Sequence, residues 1–518
     1  MSEHARGGSE GRSRGGHTQR HRNSAGHERS GSRGRGASRK GFSSARPSER
    51  RRETTPSRLA AYEATREVTE NEAYANLVFP TVLRKHRVSG RDAAFATELF
   101  YGSLRAQGRL DAVLAECVDR PLAKIEPSVL NVLRLGAYQL LDMAVSPHAA
   151  ASETVGLARD VTGAGSASLV NAVLRKVGQH TLEEWMEIIA PDRATHEDDY
   201  LALVYSHPVW IVRALRDALK VHGRAPEELE DLLAAQNRAP RVSLVMRPGL
   251  TDASELEEFG AGAAEYSIVG ATWPSGDPGQ IPPVAEGRAA VQDEGSQLVA
   301  LALAIGADAL VQADDARWLD MCAGPGGKTA LLAGFSIERD AEVLAVELQE
   351  HRTRLVERSV RTLAEAGAEI DTLTADATAL GERFPGEFSR VLADVPCSGL
   401  GALRRRPEAR WRKQPGDLGQ LGQVQRALLA SAIDAAADGA VIAYVTCSPH
   451  VAETMLVIKD ALRRRTDIEV LDARAPLMEG VRPGAEMDLG DGPYVQLWPH
   501  VHGTDAMFLA LLRKLPTA

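Results

Sequence analysis

A chain of 518 residues is longer than one hydrophobic core usually organises, and its 44% hydrophobic content predicts several globular domains. The net charge of −9 is unevenly divided: residues 1–52 carry thirteen arginines and one lysine against four glutamates, a net +10 that leaves −19 for the remainder. No apolar run reaches membrane-spanning length and the N-terminus lacks a secretory apolar segment, so we expect a soluble, cytoplasmic protein without membrane contact.

Residues 1–53 are rich in Gly, Ser, Arg and His and contain few large apolar residues. Such a segment cannot bury enough surface to offset its ordering entropy, so we expect a disordered basic tail. Its Arg-Gly character suits loose contact with RNA phosphates and bases, although a solvated tail without an essential role explains it equally well.

Residues 54–185 have helical apolar spacing throughout. Between Val129 and Leu141 the apolar and small residues recur at i, i+3, i+4, i+7 and i+8, which predicts one face of a helix that begins near Pro127, and "SLVNAVLRKV" repeats the spacing. We predict an all-α domain that docks or binds RNA, with plain structural support as the alternative.

Residues 191–286 are mixed, with a helix after "SHPVW" and a short strand in "RVSLVMR", and we interpret them as a connecting subdomain. Residues 287–518 alternate helices with the apolar runs "ARWLDMC", "EVLAVEL", "EIDTLTA", "FSRVLADV" and "GAVIAYVTC". This alternation predicts an α/β, Rossmann-like domain with a mostly parallel, doubly wound sheet, in which ligands bind beyond the carboxyl ends of the strands.

The first of these strands runs into a glycine-rich turn, "LDMCAGPGGKT". A nucleotide P-loop needs glycine where Cys322 stands, and no dinucleotide fingerprint fits. Acids end the next three strands, at Glu347, Asp376 and Asp394. This series suits the adenosine part of S-adenosylmethionine, which has no phosphate, so we predict that cofactor.

Two of the four scattered cysteines, Cys397 and Cys447, follow strand ends in the same predicted site. The cysteines have no Cys-x-x-Cys pair and no histidine at metal spacing, so we expect neither disulfides nor a metal. Methylation of carbon 5 of cytosine needs a thiolate that adds at carbon 6 and an acid near ring nitrogen 3, such as Asp394. The residues alone do not decide which cysteine has which role.

The motifs "DMCAGPGGKT", "DVPCSGLGALRRRPEARW" and "YVTCSPH" resemble those of the RNA cytosine-5 methyltransferases of the Fmu/Sun/NOL-NOP family. "RDAAFATELFYGSLR" and "SLVNAVLRKV" resemble the NusB-like domain at the N-terminus of its bacterial 16S ribosomal RNA member, the RsmB type. The resemblance implies that Cys447 is the nucleophile and that Cys397 assists breakdown of the covalent adduct. It also implies that the cofactor and target site is lined by Cys322, Ala323, Gly324, Pro325, Gly326, Gly327, Lys328, Glu347, Asp376 and Asp394.

The chain departs from the family pattern at several positions. The family usually has a second alanine where Gly324 stands, an aspartate where Glu347 stands and an alanine where Val395 stands. The segment "PHVAET" follows the nucleophile motif, where the family commonly has Pro-Glu-Glu-Asn. The longer acid at position 347 bears on cofactor affinity.

The basic loop "LRRRPEARWRK" follows the Pro-Cys motif. We predict that Arg404, Arg405, Arg406 and Arg410 hold RNA phosphates and that Trp411 stacks on a base, against the alternatives of a solvated charged face and a core tryptophan. His450 either favours the Cys447 thiolate or is a bystander.

The expected function is methyl transfer from S-adenosylmethionine to carbon 5 of a cytosine in 16S ribosomal RNA, free or in an early small-subunit particle, by a monomeric enzyme. Transfer RNA as substrate and a non-catalytic ribosome-assembly factor are the alternatives. A nucleotide-dependent enzyme is disfavoured by the missing P-loop glycine.

Overall fold

A computed structural model describes residues 54–516, and the predicted basic tail, residues 1–53, lies outside them. The N-terminal part of the described chain is entirely helical, as predicted. Its helices are α1 (Pro56–Glu70), α2 (Ala75–Lys85), α3 (Gly90–Arg105), α4 (Gln107–Cys117), α5 (Pro127–Leu141), α6 (Pro147–Thr162), α7 (Ala164–Val177) and α8 (Leu182–Ile189). α5 begins at the predicted proline, and its apolar face is buried against the other helices.

The connecting part contains three helices followed by a small antiparallel sheet of order β2-β3-β1-β4. Its elements are α9 (Glu197–Val204), α10 (Val209–Val221), α11 (Leu229–Asn237), β1 (Val242–Met246), α12 (Ala253–Glu258), β2 (Gly262–Ala263), β3 (Gly270–Trp273), α13 (Pro282–Ala285) and β4 (Ala289–Val291). The predicted strand is β1, and the other three strands of this sheet are too short to give an alternating pattern. β4 lies beyond residue 286, yet it pairs with β1.

The C-terminal part is built on a mixed sheet of order β10-β12-β9-β8-β5-β6-β7, with β11 paired to β12. Its elements are α14 (Glu294–Ala304), β5 (Arg317–Asp320), α15 (Gly327–Ser336), β6 (Glu342–Glu347), α16 (Glu350–Glu365), β7 (Ile370–Thr374), α17 (Leu380–Arg383), β8 (Phe388–Asp394), α18 (Ala409–Arg412), α19 (Asp417–Ala435), β9 (Ala436–Thr446), α20 (Met455–Arg464), β10 (Ile468–Leu471), α21 (Arg474–Glu479), β11 (Val495–Gln496), α22 (Pro499–His502) and β12 (Phe508–Lys514). The five predicted strands are β5 to β9, and all neighbours among them are parallel. β12 runs antiparallel to β9 and β10.

Helices cover both faces of this sheet, which is why its strands are continuous apolar runs. In β9, Val441, Ala443 and Val445 contribute to the core on one face. Ile442 and Tyr444 contribute to the core on the other face. β6 and β7 are added on one side of β5, whereas β8 and β9 are added on the other side, so the strand order switches between β5 and β8. A ligand crevice is expected at the carboxyl ends of these two central strands.

None of the helices between residues 54 and 516 combines the length and the apolar character that a membrane span needs.

Candidate active site

The glycine-rich loop joins the end of β5 to the start of α15 at the centre of this crevice. Ala323 N donates to Val346 O at 2.9 Å, which ties the loop to β6. Gly326 has φ 103°, and a Cβ there would lie 2.6 Å from Ser359 Cβ in α16, so only glycine fits. The predicted cofactor residues, Cys322 to Lys328, therefore lie on a braced loop that leads into a helix N-terminus, where the helix dipole is positive.

Glu347 ends β6 and folds back onto this loop. Its side chain is only 5% exposed. Oε2 accepts a hydrogen bond from Gly324 N at 3.2 Å and lies 3.3 Å from Arg352 Nη1, and Oε1 accepts from Gln349 N at 3.1 Å. Arg352 also contacts the glycine-rich loop, because its Nη2 donates a hydrogen bond to Gly324 O at 2.7 Å. Arg352, which the sequence analysis missed, thus joins the predicted acid to the loop.

Asp376 lies beyond the end of β7 and is exposed. Its Oδ1 accepts from Thr378 N at 2.9 Å and from Thr378 Oγ1 at 2.7 Å. The backbone hydrogen bond from Thr378 is the main reason why the pKa of Asp376 is lowered. One carboxylate oxygen, Oδ2, accepts no hydrogen bond within residues 54–516 and is available to a ligand.

A buried acid that the sequence analysis missed, Asp320, ends β5. Its Oδ2 accepts from Thr329 Oγ1 at 2.7 Å, while Oδ1 is buried without a partner in the described part of the chain. Burial, reinforced by the charge of Asp394, raises the pKa of Asp320 to about 7. The sequence contains a signal for Asp320, because it stands at the end of an apolar strand, as do the three acids that the sequence analysis identified.

Lys328 and Asp394 form an ion pair in which Nζ lies 2.7 Å from Oδ2. Burial opposes the charged form of Lys328, but the carboxylate of Asp394 outweighs it and raises the lysine pKa. Lys328 thus faces the end of β8 and is paired with a carboxylate.

The two strand-end cysteines are in contact: Cys397 Sγ and Cys447 Sγ are 3.3 Å apart. Their strands, β8 and β9, are parallel neighbours, and Gly401 N donates to Cys447 O at 2.9 Å. The hydrogen bond from Cys397, together with the charges of Arg406 and Lys328, lowers the pKa of Cys447 although burial and Asp394 oppose this. The same hydrogen bond and burial raise the pKa of Cys397. The pair therefore consists of a thiolate-prone sulfur and a thiol that donates to it.

A buried carboxylate beneath the cysteines, Glu453, was also missed. It accepts from Ser398 N at 2.7 Å, from Ser398 Oγ at 2.5 Å and from Gln425 Nε2 at 3.2 Å. Ser398 Oγ in turn lies 3.1 Å from Ser448 Oγ. Because Ser398 and Ser448 each follow one of the cysteines, this network holds the two cysteine loops together.

His450 lies in the second of these loops, and burial lowers its pKa. Its Nδ1 accepts a hydrogen bond from Ala452 N at 3.1 Å. The ring is therefore neutral at pH 7 and serves the local turn, which favours the bystander interpretation.

The predicted RNA-binding loop, here called the arginine segment (Arg404–Arg412), differs from expectation. Arg404 is 6% exposed, and Arg404 and Arg405 are both ion-paired with Asp293 and Asp505. Arg410 is completely buried. It donates to four acceptors, namely Arg105 O, Ser206 O, Asn237 Oδ1 and Gln236 O, at 2.7 to 3.2 Å. The prediction is therefore wrong for Arg404 and Arg410, whose guanidinium groups are enclosed by protein acceptors and cannot reach phosphates.

Trp411 packs against α4, where a Cβ at Gly108 would lie 2.4 Å from the indole ring. This contact corresponds to the core alternative, and the base-stacking prediction for Trp411 has no support from its placement. Arg406 is exposed. It is the member of the predicted set that remains free to bind phosphate, with Arg405 half-buried beside it.

No group of three or more His, Cys, Asp or Glu residues in the described range is arranged to hold a metal ion.

Comparisons with known proteins match two separate parts of the chain to family models. Residues 307–513 match the family model described as 16S rRNA methyltransferase RsmB/F, and residues 52–179 match the NusB family model. Over 467 residues the chain is 49% identical to Rv1407 of Mycobacterium tuberculosis (strain ATCC 25618 / H37Rv), named as a methyltransferase without a stated substrate; the match covers 90% of this chain and 98% of that relative.

Two further matches have similar extent. Over 476 residues the chain is 30% identical to the Probable ribosomal RNA small subunit methyltransferase B of Bacillus subtilis (strain 168), covering 89% of this chain and 99% of the relative. The crystal structure of PH0851 superposes with a TM-score of 0.70 at 23% identity and covers 89% of this chain and 98% of that one, a likeness that shows the fold.

Proposed function

Because the chain belongs to the 16S rRNA methyltransferase RsmB/F family, we propose that it transfers a methyl group from S-adenosylmethionine to carbon 5 of a cytosine in 16S ribosomal RNA, through a covalent cysteine adduct, in the cytoplasm. The observation that carries this proposal is the 3.3 Å contact between Cys397 Sγ and Cys447 Sγ at the ends of adjacent parallel strands. Two thiols of opposite pKa direction suit a reaction that first needs a nucleophile and then needs that nucleophile to leave.

The donor set of the crevice fits the cofactor. Three acids, Asp320, Glu347 and Asp394, lie around the glycine-rich loop, and a buried acceptor on Asp320 has no partner in the described chain. An acceptor without a partner suits a donor group such as an amino or hydroxyl group, and it does not suit a phosphate. The cofactor supplies an electrophilic methyl group, and the loop and Glu347 would hold its amino-acid and ribose portions.

The chain's own residues account for the remaining steps. The Cys447 thiolate adds to carbon 6 of a flipped-out cytosine, which makes carbon 5 nucleophilic. The Asp394–Lys328 pair offers an acceptor for the ring's polar edge and a cation that offsets the charge developing on the ring. After methyl transfer a base takes the carbon 5 proton, the carbon 5–carbon 6 double bond reforms, and the Cys447 sulfur leaves as a thiolate stabilised by the Cys397 thiol.

The first test is a denaturing gel of the Cys397→Ala protein with unmethylated 16S ribosomal RNA and S-adenosylmethionine. We expect a slow-migrating protein–RNA band, because addition remains possible while adduct breakdown is impaired. The Cys447→Ala and Cys397→Ala/Cys447→Ala proteins are the matched controls and should give no band.

The outcomes separate the proposal from its alternatives. Absence of a band in Cys397→Ala with methylation by wild type intact would refute the assigned cysteine roles. Wild-type protein that methylates transfer RNA in place of 16S RNA would refute the substrate, and failure to bind the cofactor in calorimetry would favour an assembly factor. Running the assay with both naked RNA and an early small-subunit particle identifies the form of the substrate.

A further inference from the structure

An exposed tyrosine of the helical domain lies against the arginine segment. Tyr74 immediately precedes α2 and is 55% exposed, and the Arg406 guanidinium carbon lies 5.7 Å from its ring centroid. Arg406 is also exposed, and its side chain makes no hydrogen bond or ion pair within the residues that the structure describes. The Arg406 guanidinium thus lies over the ring of an exposed tyrosine, and both groups are open to solvent.

This pair lies close to the nucleophile. Gly401 N donates to Cys447 O at 2.9 Å, and Arg406 N donates to Ala402 O at 3.0 Å. An i to i+4 hydrogen bond of that kind brings the two Cα atoms within about 6 Å. Arg406 is therefore one helical turn from Ala402, which directly follows the residue that hydrogen-bonds to Cys447. The positive charge of Arg406 also helps to lower the pKa of Cys447.

Both chain neighbours of Tyr74, Ala73 and Ala75, form hydrogen bonds with the arginine segment. Arg412 Nη2 donates to Ala73 O at 2.8 Å and to Val68 O at 2.6 Å. On the other side, Ala75 N donates to the buried carboxylate of Glu408 at 3.2 Å. The tyrosine is thereby held in place before any ligand arrives, which lowers the ordering cost of binding.

We propose that Tyr74 and Arg406 form a stacking site for an unpaired RNA base next to the target cytosine, with Tyr74 against the base and Arg406 at its phosphate. The inference rests on the proposed function, since it takes the RNA substrate from there. Unpaired bases stacked on aromatic rings or on arginine guanidinium planes are the usual mode of single-stranded RNA recognition, and a half-exposed tyrosine with an exposed arginine over its ring matches that mode. The helical domain thus contributes a substrate contact directly at the catalytic cleft.

The test compares Tyr74→Ala and Tyr74→Phe with wild type in methylation of unmethylated 16S ribosomal RNA, with kcat, KM, cofactor affinity and Tm measured for each. We expect Tyr74→Ala to raise the KM for RNA about 5- to 150-fold, the range for loss of one stacked base, with cofactor affinity and Tm unchanged. Tyr74→Phe keeps the ring and should retain the wild-type KM. Phe259→Ala, which removes another half-exposed aromatic after α12, is the matched control and should leave the KM unchanged.

Each outcome has one meaning. A wild-type KM in Tyr74→Ala overturns the stacking site, and so does an equal loss in Tyr74→Phe, which would assign the effect to the hydroxyl group. A lowered Tm with an unchanged KM would make Tyr74 purely structural and also overturns the proposal. If wild type itself fails to methylate 16S RNA, the proposed function fails and not the stacking site alone.

Discussion

Substitution of Gly324 by alanine should weaken cofactor binding, because the place of its Cβ is already occupied. A Cβ built there lies 2.2 Å from Glu347 Oε2 and 2.8 Å from Arg352 Nη2. Ordinary contacts are about 3.4 to 4 Å, so the carboxylate must retreat by more than about 1 Å. That movement breaks the hydrogen bond from Gly324 N to Glu347 and disturbs the one from Arg352 to Gly324 O.

The magnitude follows from these two contacts. Hydrogen bonds to charged groups contribute about 1.5 to 3 kcal/mol each. Arg352 is 43% exposed, so its share is discounted for solvent screening, and the sum is about 2 to 4 kcal/mol. We therefore expect Gly324→Ala to bind S-adenosylmethionine roughly 30- to 700-fold more weakly in titration calorimetry.

A second substitution makes this reasoning refutable. Glu347→Asp shortens the acid by one methylene and vacates the place that the Cβ needs, so Gly324→Ala/Glu347→Asp should recover most of the affinity lost in Gly324→Ala. Additive losses in the double mutant, or wild-type affinity in Gly324→Ala, would refute the steric coupling. The two departures from the family pattern, glycine for alanine and glutamate for aspartate, then represent one coupled change.

Three further perturbations test other parts of the structure. Arg410→Ala leaves four buried acceptors unpaired and should cost about 3 to 5 kcal/mol of unfolding free energy in urea titration. Arg406→Ala removes an exposed arginine and should cost less than about 0.5 kcal/mol. Equal losses in the two variants would contradict the buried role of Arg410. The pKa of Asp320 is raised on folding to about 7, so the folded state binds more protons than the unfolded state between about pH 4 and pH 7, and stability falls as pH rises through that window. Relative to Asp320→Asn, wild type should therefore lose about 2.5 kcal/mol of unfolding free energy between pH 5 and pH 8 in parallel urea titrations, and parallel pH curves would exclude the raised pKa. Removing the donor thiol in Cys397→Ala should raise the pKa of Cys447, seen as a shift to higher pH of its iodoacetamide alkylation, and an unchanged profile would show that Lys328 and Arg406 alone lower it.

The sequence was sufficient for the part of the fold that carries the chemistry. The buried parallel strands are continuous apolar runs, so β5 to β9 were identified from composition and length, and their carboxyl ends were expected to meet. The motif resemblance to the RNA cytosine-5 methyltransferases and to the NusB-like domain is confirmed by the family matches. The contact between Cys397 and Cys447 follows from the same rule, since both cysteines follow strands that lie side by side.

The arginine segment could not be interpreted in the same way. A run of arginines has the same local pattern whether it faces water or buried carboxylates, and the partners of Arg404 are about one hundred residues away, at Asp293 and Asp505. The acceptors of Arg410 are backbone carbonyls and an asparagine from distant helices, which no local pattern reveals. Long-range pairing is therefore what the sequence analysis lacked.

The arginine segment joins the helical domain to the part of the chain that carries the first cysteine loop. Arg410 joins the end of α3 to the connecting helices, and Arg412 and Glu408 hold the turn before α2, all from a segment that begins a few residues after Cys397. A displacement of the helical domain must therefore break charge-assisted hydrogen bonds on the chain that carries the cysteine loop. The same segment presents Arg406 to solvent, so under the proposed function RNA bound at Arg406 would contact the segment that joins the helical domain to the cysteine loop.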